Sequence, residues 1–296
     1  MPFRLLRALA AAGSVLAPLA LLHPGALRAQ QGDPPFAPGE DLTYQITWSA
    51  FSAGEITATL QKAALPDGDE YEVSTTAQSH GFVSLLYNLN DKFVTLFDPQ
   101  TACAREITKT VNEGRRHKRT RIIFDAARKL AILDESDLSK PGTPPKHAEN
   151  DIPACVQDPV TAFYFLRRRP LRVGDKVHVP INDGAKTIDV TAEVQAREEI
   201  TTPLGKRFAF RVEPKVFGNL YKRKGRMLVW FSDDAQRLPL RIRAMISVGT
   251  ITGTLTSVTA SPASGRATGP RSAQPPRREG TRGTYEPQAT SLSSQR

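Results

Sequence analysis

Five cations and a histidine crowd one stretch of this chain, Arg115, Arg116, His117, Lys118, Arg119 and Arg121. Alternation along a β-strand would put Arg115, His117, Arg119 and Arg121 on one face and Arg116 and Lys118 on the other. Two kinds of chemistry fit such a strand. It could hold the phosphate or carboxylate of a ligand, such as an anionic lipid, by charge-assisted hydrogen bonds. Equally, it could be an edge strand whose charge blocks sheet-to-sheet pairing. Lys222, Arg223, Lys224 and Arg226, around Gly225, read as a solvated turn.

Other sets that could react are thin. Asp233 and Asp234 are adjacent, so on a strand they would point to opposite faces and could not flank one glycosidic bond. A turn after Trp230 and Phe231, with Arg237 pairing one of the acids, explains them better. His80, His117, His147 and His178 lack a second histidine at ligand spacing, and no Gly-x-Ser-x-Gly elbow or phosphate-binding glycine loop occurs. The pattern points away from an enzyme and implies no catalytic residue, metal or cofactor. Two cysteines, Cys103 and Cys155, are either a disulfide or two buried thiols. Bridging them would close a loop of about 50 residues, worth roughly 4 kcal/mol in the chain-entropy model.

The elements that must position these residues are mostly strands. Leu42, Tyr44, Ile46, Trp48 and Ala50 alternate with polar residues, the period of a half-buried strand. Ser52 to Gly54 then reads as a turn, and Pro66-Asp67-Gly68-Asp69 as another, so the domain opens as a meander. His80 to Leu89 reads as a short helical or irregular crossover under the sheet. Strands follow at Lys92 to Phe97, Arg105 to Val111, Arg116 to Phe124 and Leu130 to Leu133, then an exposed proline-rich loop from Lys140 to Pro153. One helix stands out: Asp158 can cap it, Pro159 suits its first position, and Val160, Phe163, Tyr164 and Leu166 form an apolar stripe. Arg167, Arg168 and Arg169 complement its dipole and Pro170 ends it. Strand grammar resumes from Val177 to Val258, with turns at Asn182-Asp183-Gly184 and Thr202-Pro203-Leu204-Gly205. The expected fold is mainly β, a curved antiparallel sheet or partly open barrel of eleven to twelve strands around one principal helix.

The ends of the chain are of another kind. Arg4 and Arg7, the apolar run Leu9 to Leu22 interrupted by Pro18, and small residues before Ala29 have the plan of a cleaved signal peptide. The competing account is an uncleaved anchor, for which the run is short. Residues 30–39 read as a linker, 40–260 as a single β-rich domain, and 261–296, poor in apolar residues, as a disordered tail. The formal charge is +10; the signal takes three positive charges and the tail a net four, leaving +3 on the body. So mild a balance excludes a nucleic-acid footprint. The mature chain is expected in the periplasm or outside the cell, without a transmembrane segment and in an oligomeric state the sequence does not define.

Several motifs in order resemble an exported bacterial family known as domain of unknown function 3108. They are Phe36-Ala37-Pro38-Gly39-Glu40-Asp41-Leu42-Thr43-Tyr44, Asp158 to Arg167 ahead of Leu171-Arg172-Val173-Gly174-Asp175, Thr202-Pro203-Leu204-Gly205, and Trp230-Phe231-Ser232-Asp233-Asp234 with Arg237 and Pro239. The resemblance spans Phe36 to Val258 and implies export and a β-rich fold, with no activity attached. More distantly, the architecture is similar to the half-barrel carriers of lipoproteins and lipids in the periplasm, an analogy of fold alone. The expected function is binding or carriage of an amphipathic ligand, a lipid or lipid-linked glycan. Its residues would be Trp48, Tyr87, Phe163, Tyr164 and Trp230 for the apolar part, and Arg116 and Lys118 for an anionic group. The rivals are a hydrolase acting on envelope glycans and a scaffold that recognises a protein partner.

Overall fold

A computed structural model describes residues 33–65, 68–216 and 225–259. The signal-peptide and tail segments read from the sequence lie outside these residues. Within them one antiparallel sheet of fourteen strands accounts for most of the chain. The first half supplies β1 (Asp41–Trp48), β2 (Phe51–Lys62), β3 (Tyr71–Ser79), β4 (Asn90–Phe97), β5 (Ala104–Glu113), β6 (Arg116–Asp125), β7 (Leu130–Asp137) and β8 (Lys146–Asp151). The second half supplies β9 (Lys176–Asn182), β10 (Thr187–Thr202), β11 (Gly205–Pro214), β12 (Gly225–Ser232), β13 (Pro239–Ile246) and β14 (Gly249–Thr259). Helix α1 (Gly81–Leu86) joins β3 to β4, and α2 (Thr161–Arg167) separates the halves.

Each half is a meander, and β1 pairs with β14, so the spatial order runs β8 to β1 and then β14 to β9. No ladder joins β8 to β9. Side chains bridge the gap instead: Asn182 Nδ2 donates to Asn150 Oδ1 at 2.7 Å, Asn150 Nδ2 to the Gly184 carbonyl at 3.0 Å, and Thr187 Oγ1 to the Asp151 carbonyl at 3.0 Å. The Gln157 backbone forms an isolated parallel bridge to β9, donating to Pro180 and accepting from Asn182 at 2.8 Å each. The β9 edge is thereby partly covered, and the two ends of the sheet are tied together by side chains, which restricts the pairing templates that exposed edges present. Gly184 (φ 101°) is needed at this seam, because a Cβ there would meet Leu133 Cδ1 at 2.4 Å.

Four local expectations are corrected. The strand count is fourteen among the described residues, against the eleven to twelve expected. β8 lies inside the stretch expected as a loop; as an edge strand with polar residues on both faces it carries no apolar alternation. The first turn is Ser49-Ala50, while Gly54 sits within β2 opposite Ser79, where a Cβ would meet the Gln78 carbonyl oxygen at 2.1 Å. Helix α1 does not run under the sheet, since only Val83 of it is buried.

Because consecutive strands alternate in direction, the connections fall into two sets. The start of β1, the end of β14 and the turns after β2, β4, β6, β10 and β12 lie at one end, here the base. The β1–β2, β5–β6, β9–β10 and β13–β14 turns and α1 lie at the other, the mouth. Inward positions alternate along the strands as expected: Leu42 and Tyr44 on β1, Leu60 on β2, Val73 on β3, Val190, Ala192 and Val194 on β10 are all buried.

Helix α2 plugs the base. Asp158, fully buried, starts it: its Oδ1 accepts from the Val160 and Thr161 amides at 2.6 and 3.2 Å, and its carbonyl accepts from the Ala162 amide at 3.0 Å. At the other end Arg167, 1% exposed, forms a fork with Glu40, Nη1 to Oε1 at 2.7 Å and Nη2 to Oε2 at 2.6 Å. Two further donors go to the Pro35 and Gln236 carbonyls at 3.1 Å each. The guanidinium also lies 5.2 Å from the Phe36 ring and 5.4 Å from that of Tyr164. Phe36, Phe97 and Tyr164 stack against one another at 4.9–6.0 Å and fill the base. The predicted bridge is present: Cys103, just before β5, is bonded to Cys155, just before α2, with Cα atoms 5.1 Å apart.

A buried charge that loses its partner keeps its desolvation cost, so truncating one side of such a pair destabilises by about 3–5 kcal/mol. Glu40→Gln and Arg167→Met should each lower unfolding free energy by that order in urea titrations, whereas the double variant Glu40→Leu/Arg167→Met should recover most of the loss.

Candidate ligand-binding site

Above the plug the barrel is not filled. Helix α2 divides the lumen into two apolar chambers, and Pro159 and Phe163 line both. One, of about 310 Å³, lies between α2 and the wall of β1–β4, β13 and β14, with Tyr44, Ile46, Ile56, Phe93, Ile242 and Ile251 among its lining. The other, of about 580 Å³, lies between α2 and β9–β12, against Val179, Ile181, Val190, Met227 and Val229. Both are in the size range of roughly 300–1,000 Å³ that small-molecule sites occupy. Ile251 faces the first chamber yet is 38% exposed, so this chamber opens at the mouth. Within its wall Thr75 Oγ1 is buried and has no hydrogen-bond partner among the described residues, an isolated polar handle in an apolar surface.

The rim of the mouth is apolar as well. Phe82 (63% exposed) and Leu85 (83%) project from α1, with Leu86 beside them, and Phe51 and Val248 project from the β1–β2 and β13–β14 hairpins. The Phe51 and Phe82 rings lie 6.5 Å apart, so the β1–β2 hairpin and α1 share one apolar patch. Contiguous exposed apolar surface of this kind marks a site of contact with another apolar body.

On the opposite wall the lumen carries charge. Lys118 and Thr120 of β6 face inward with Glu135 of β7, and Lys118 Nζ donates to Glu135 at 2.6 Å, which lowers the carboxyl pKa. Lys109 of β5 donates to the Asp183 carbonyl at 3.1 Å, and burial lowers its pKa. Burial also pushes the Asp158 carboxyl up to about 6, against the opposing pull of the Val160 and Thr161 hydrogen bonds.

The residues expected from sequence divide between these places. Phe163 lies between the chambers and Tyr164 lines the smaller one. Trp48 is half-buried at the mouth, its Nε1 donating to the Val248 carbonyl at 3.0 Å. Tyr87 is exposed on the rim beside α1, and Arg116 is exposed at the β5–β6 turn, 3.5 Å from Glu113. Trp230 is on the face of β12 opposite Val229 and Phe231: its Nε1 donates to Glu198 at 2.7 Å, Arg241 and Arg243 lie over its ring, and it lines neither chamber. The basic strand is not an edge, since β6 pairs with both β5 and β7, and its outward Arg121 is held by a bidentate bond to Glu106 at 2.7 and 2.8 Å. Arg237 does not pair with the adjacent acids through its guanidinium; Arg197 pairs with Asp233 and Arg207 with Asp234. Among the described residues no three His, Cys, Asp or Glu side chains are grouped to hold a metal, and no helix is long and apolar enough to cross a membrane.

An antiparallel, barrel-like sheet wrapped on an internal helix, with an apolar lumen above it, defines the class. The chain belongs to the family described as protein of unknown function DUF3108, which it matches over residues 43–256. It is similar in structure to a β-barrel-like protein of domain of unknown function DUF1849 from Brucella abortus, at 8% identity and a TM-score of 0.54, covering 76% of this chain and 99% of that one. A putative exported protein with a YmcC-like fold from Bacteroides fragilis NCTC 9343 also matches, at 10% identity and a TM-score of 0.35, over 76% of this chain and 97% of that one. No curated protein matches. The first of these shows a shared fold, and the disulfide fits an extracytoplasmic location.

The pKa of Asp158 sets a pH dependence with a definite sign. The folded value lies above 3.8, so the folded state holds the extra proton between about pH 4 and 6, and stability falls as pH rises through that window. Asp158→Asn keeps an acceptor for the helix amides and removes the titration. Thermal or urea melts should show the variant gaining on the wild type from pH 4 to 6, by on the order of 2 kcal/mol, with the difference levelling off above about pH 7.

Proposed function

We propose that this is an exported envelope protein, non-enzymatic, that binds or carries an amphipathic ligand, a lipid or lipid-linked glycan. In this reading the signal peptide is cleaved near Ala29 and the mature protein works in the periplasm or outside the cell. One observation carries the functional reading: an apolar chamber inside the barrel opens at a mouth whose rim is itself apolar. An acyl chain entering there would leave water at about 25 cal/mol per Å² of apolar surface. Thr75 Oγ1 would accept or donate one hydrogen bond to an ester or hydroxyl group, and Arg116 at the mouth would face an anionic head. The rim side chains give an apolar path between a lipid surface and the lumen, so the ligand need not cross open water.

Protein purified from its native envelope should carry lipid-sized adducts in native mass spectrometry, and the delipidated protein should take up a fluorescent fatty acid. Ala244→Phe, which fills the smaller chamber without adding charge, should weaken that uptake at least tenfold while leaving the melting temperature within a few degrees. Phe82→Ser/Leu85→Ser should slow transfer from vesicles more than it changes equilibrium affinity. A clean apo mass together with no uptake by the delipidated wild type would sink the reading.

A further inference from the structure

Arginines concentrate at the base, at the end opposite the mouth. Arg168 and Arg169 follow directly on α2, Arg237 comes from the turn between β12 and β13, and the three line a cleft of about 540 Å³. Cys103 and Cys155 lie in its wall, with Gln100 and Thr101 as neutral polar neighbours and Asp33 as the acid at its border. Most other arginines described here are matched by a carboxylate: Arg105 by Glu70, Arg121 by Glu106, Arg167 by Glu40, Arg197 by Asp233, Arg211 by Glu198 and Arg226 by Glu213. None of the three in the cleft is in an ion pair among the described residues.

Their surroundings fix two of them and leave the third unsatisfied. Arg237, with a positive φ of 45°, directs Nη1 to the Arg167 and Arg169 carbonyls, which caps the end of α2 and holds its guanidinium in the cleft. The Arg169 guanidinium carbon lies over the Phe165 ring, 4.4 Å from its centre. Arg168 Nη1 is shut off from water and has no hydrogen-bond partner among the described residues. Burial lowers the pKa of this guanidinium, the charge of Asp98 opposes that effect without forming an ion pair, and neighbouring Arg169 lowers it further. A buried guanidinium nitrogen without an acceptor costs free energy that an anion would return.

We propose that this cleft is a binding site for a phosphate-type oxyanion, with Arg168 as its principal donor and Arg169 and Arg237 completing the fork. Guanidinium groups match such anions because two parallel N–H donors meet two oxygens. Arg167 borders both the cleft and the smaller chamber, and its Glu40 pair walls one from the other. Anion binding at the base is therefore independent of whether the chambers hold a lipid.

Isothermal titration of the full mature chain with inorganic phosphate, and separately with dihexanoyl phosphatidic acid, tests the site and the source of the anion. Phosphate should bind at low ionic strength and raise the melting temperature. Arg168→Ala should weaken binding at least tenfold and abolish that rise. Because the Arg168 side chain makes no hydrogen bond among the described residues and its Nη1 is buried without an acceptor, the variant's melting temperature without phosphate should be no lower than that of the wild type. Arg169→Ala should weaken binding as well, while Lys92→Ala, exposed on β4 away from the cleft, should not. Comparable binding of both probes identifies free phosphate as sufficient, and tighter binding of the lipid identifies a headgroup, with Arg168 dependence in either case. No binding of either probe by the wild type, or equal binding by Arg168→Ala, overturns the proposal.

Discussion

The fork between Arg167 and Glu40 is the interaction on which the rest of the domain depends. It joins the end of α2 to the residue before β1, 127 positions away, and it does so where both charges are buried. Alone, each ion would carry a desolvation cost of several kcal/mol, so the pair is stable only as a completed set. Completion involves the Pro35 and Gln236 carbonyls and the faces of Phe36 and Tyr164, which draw in the segment before β1 and the turn after β12. The two meanders thus share a floor as well as a sheet. The disulfide adds a covalent link in the same region, from the end of the β4–β5 turn to the approach to α2.

A floor held this firmly explains how the upper lumen can remain open. Voids lined by apolar groups forgo dispersion contacts and are few in ordinary cores. Here the aromatic stack of Phe36, Phe97 and Tyr164 fills the base, while above it the first turn of a short helix cannot span a barrel built from strands up to 16 residues long. Pro159 and Phe163 border the space on both sides of the helix, and two chambers are left. The same division separates chemistry by height. Guanidinium groups gather below the plug, apolar chains line the middle, and exposed aromatic and aliphatic side chains ring the top.

Much of this was legible in the sequence where local periodicity was enough. The alternation from Leu42 to Trp48, and that from Ile188 to Ala196, belong to strands with one face inward, and the Asp158-Pro159 signal does begin the plug. Legibility failed where the deciding contact was distant or the element had no buried face. Nothing local distinguishes Arg167 from Arg168 and Arg169: helix-dipole complementarity predicts one role for all three, yet one is buried against Glu40, one has an unpartnered nitrogen and one lies over Phe165. A signal was present all the same, since Glu40 and Arg167 each belong to a motif that carried the family resemblance. β8 was hidden for the opposite reason, its polar residues facing solvent on one side and the β9 seam on its edge. Trp230 shows the limit of residue type: a large aromatic on an alternating strand reads as inward, but the neighbours Val229 and Phe231 take the lumen and leave Trp230 to Glu198 on the other face.

Helix α1 turns the same logic around. Gly81–Leu86 is apolar enough to have been expected beneath the sheet, and it is instead held above it by its first and last residues. Gly81 adopts φ 62°, and its carbonyl accepts from Ser84 Oγ at 2.7 Å; at the other end the Tyr87 amide bonds the Val83 carbonyl, and Val83 alone turns inward. A protein evolving only for a closed core would not keep Phe82, Leu85 and Leu86 in water, because each would gain on the order of 1.5–3 kcal/mol by burial. The geometry that holds them out is specified by particular residues, so the exposure is a property of the fold. An apolar rim above an apolar lumen stands on a floor fixed by a buried ion pair, so the exposed apolar surface and the buried charge are kept at opposite ends of one sheet.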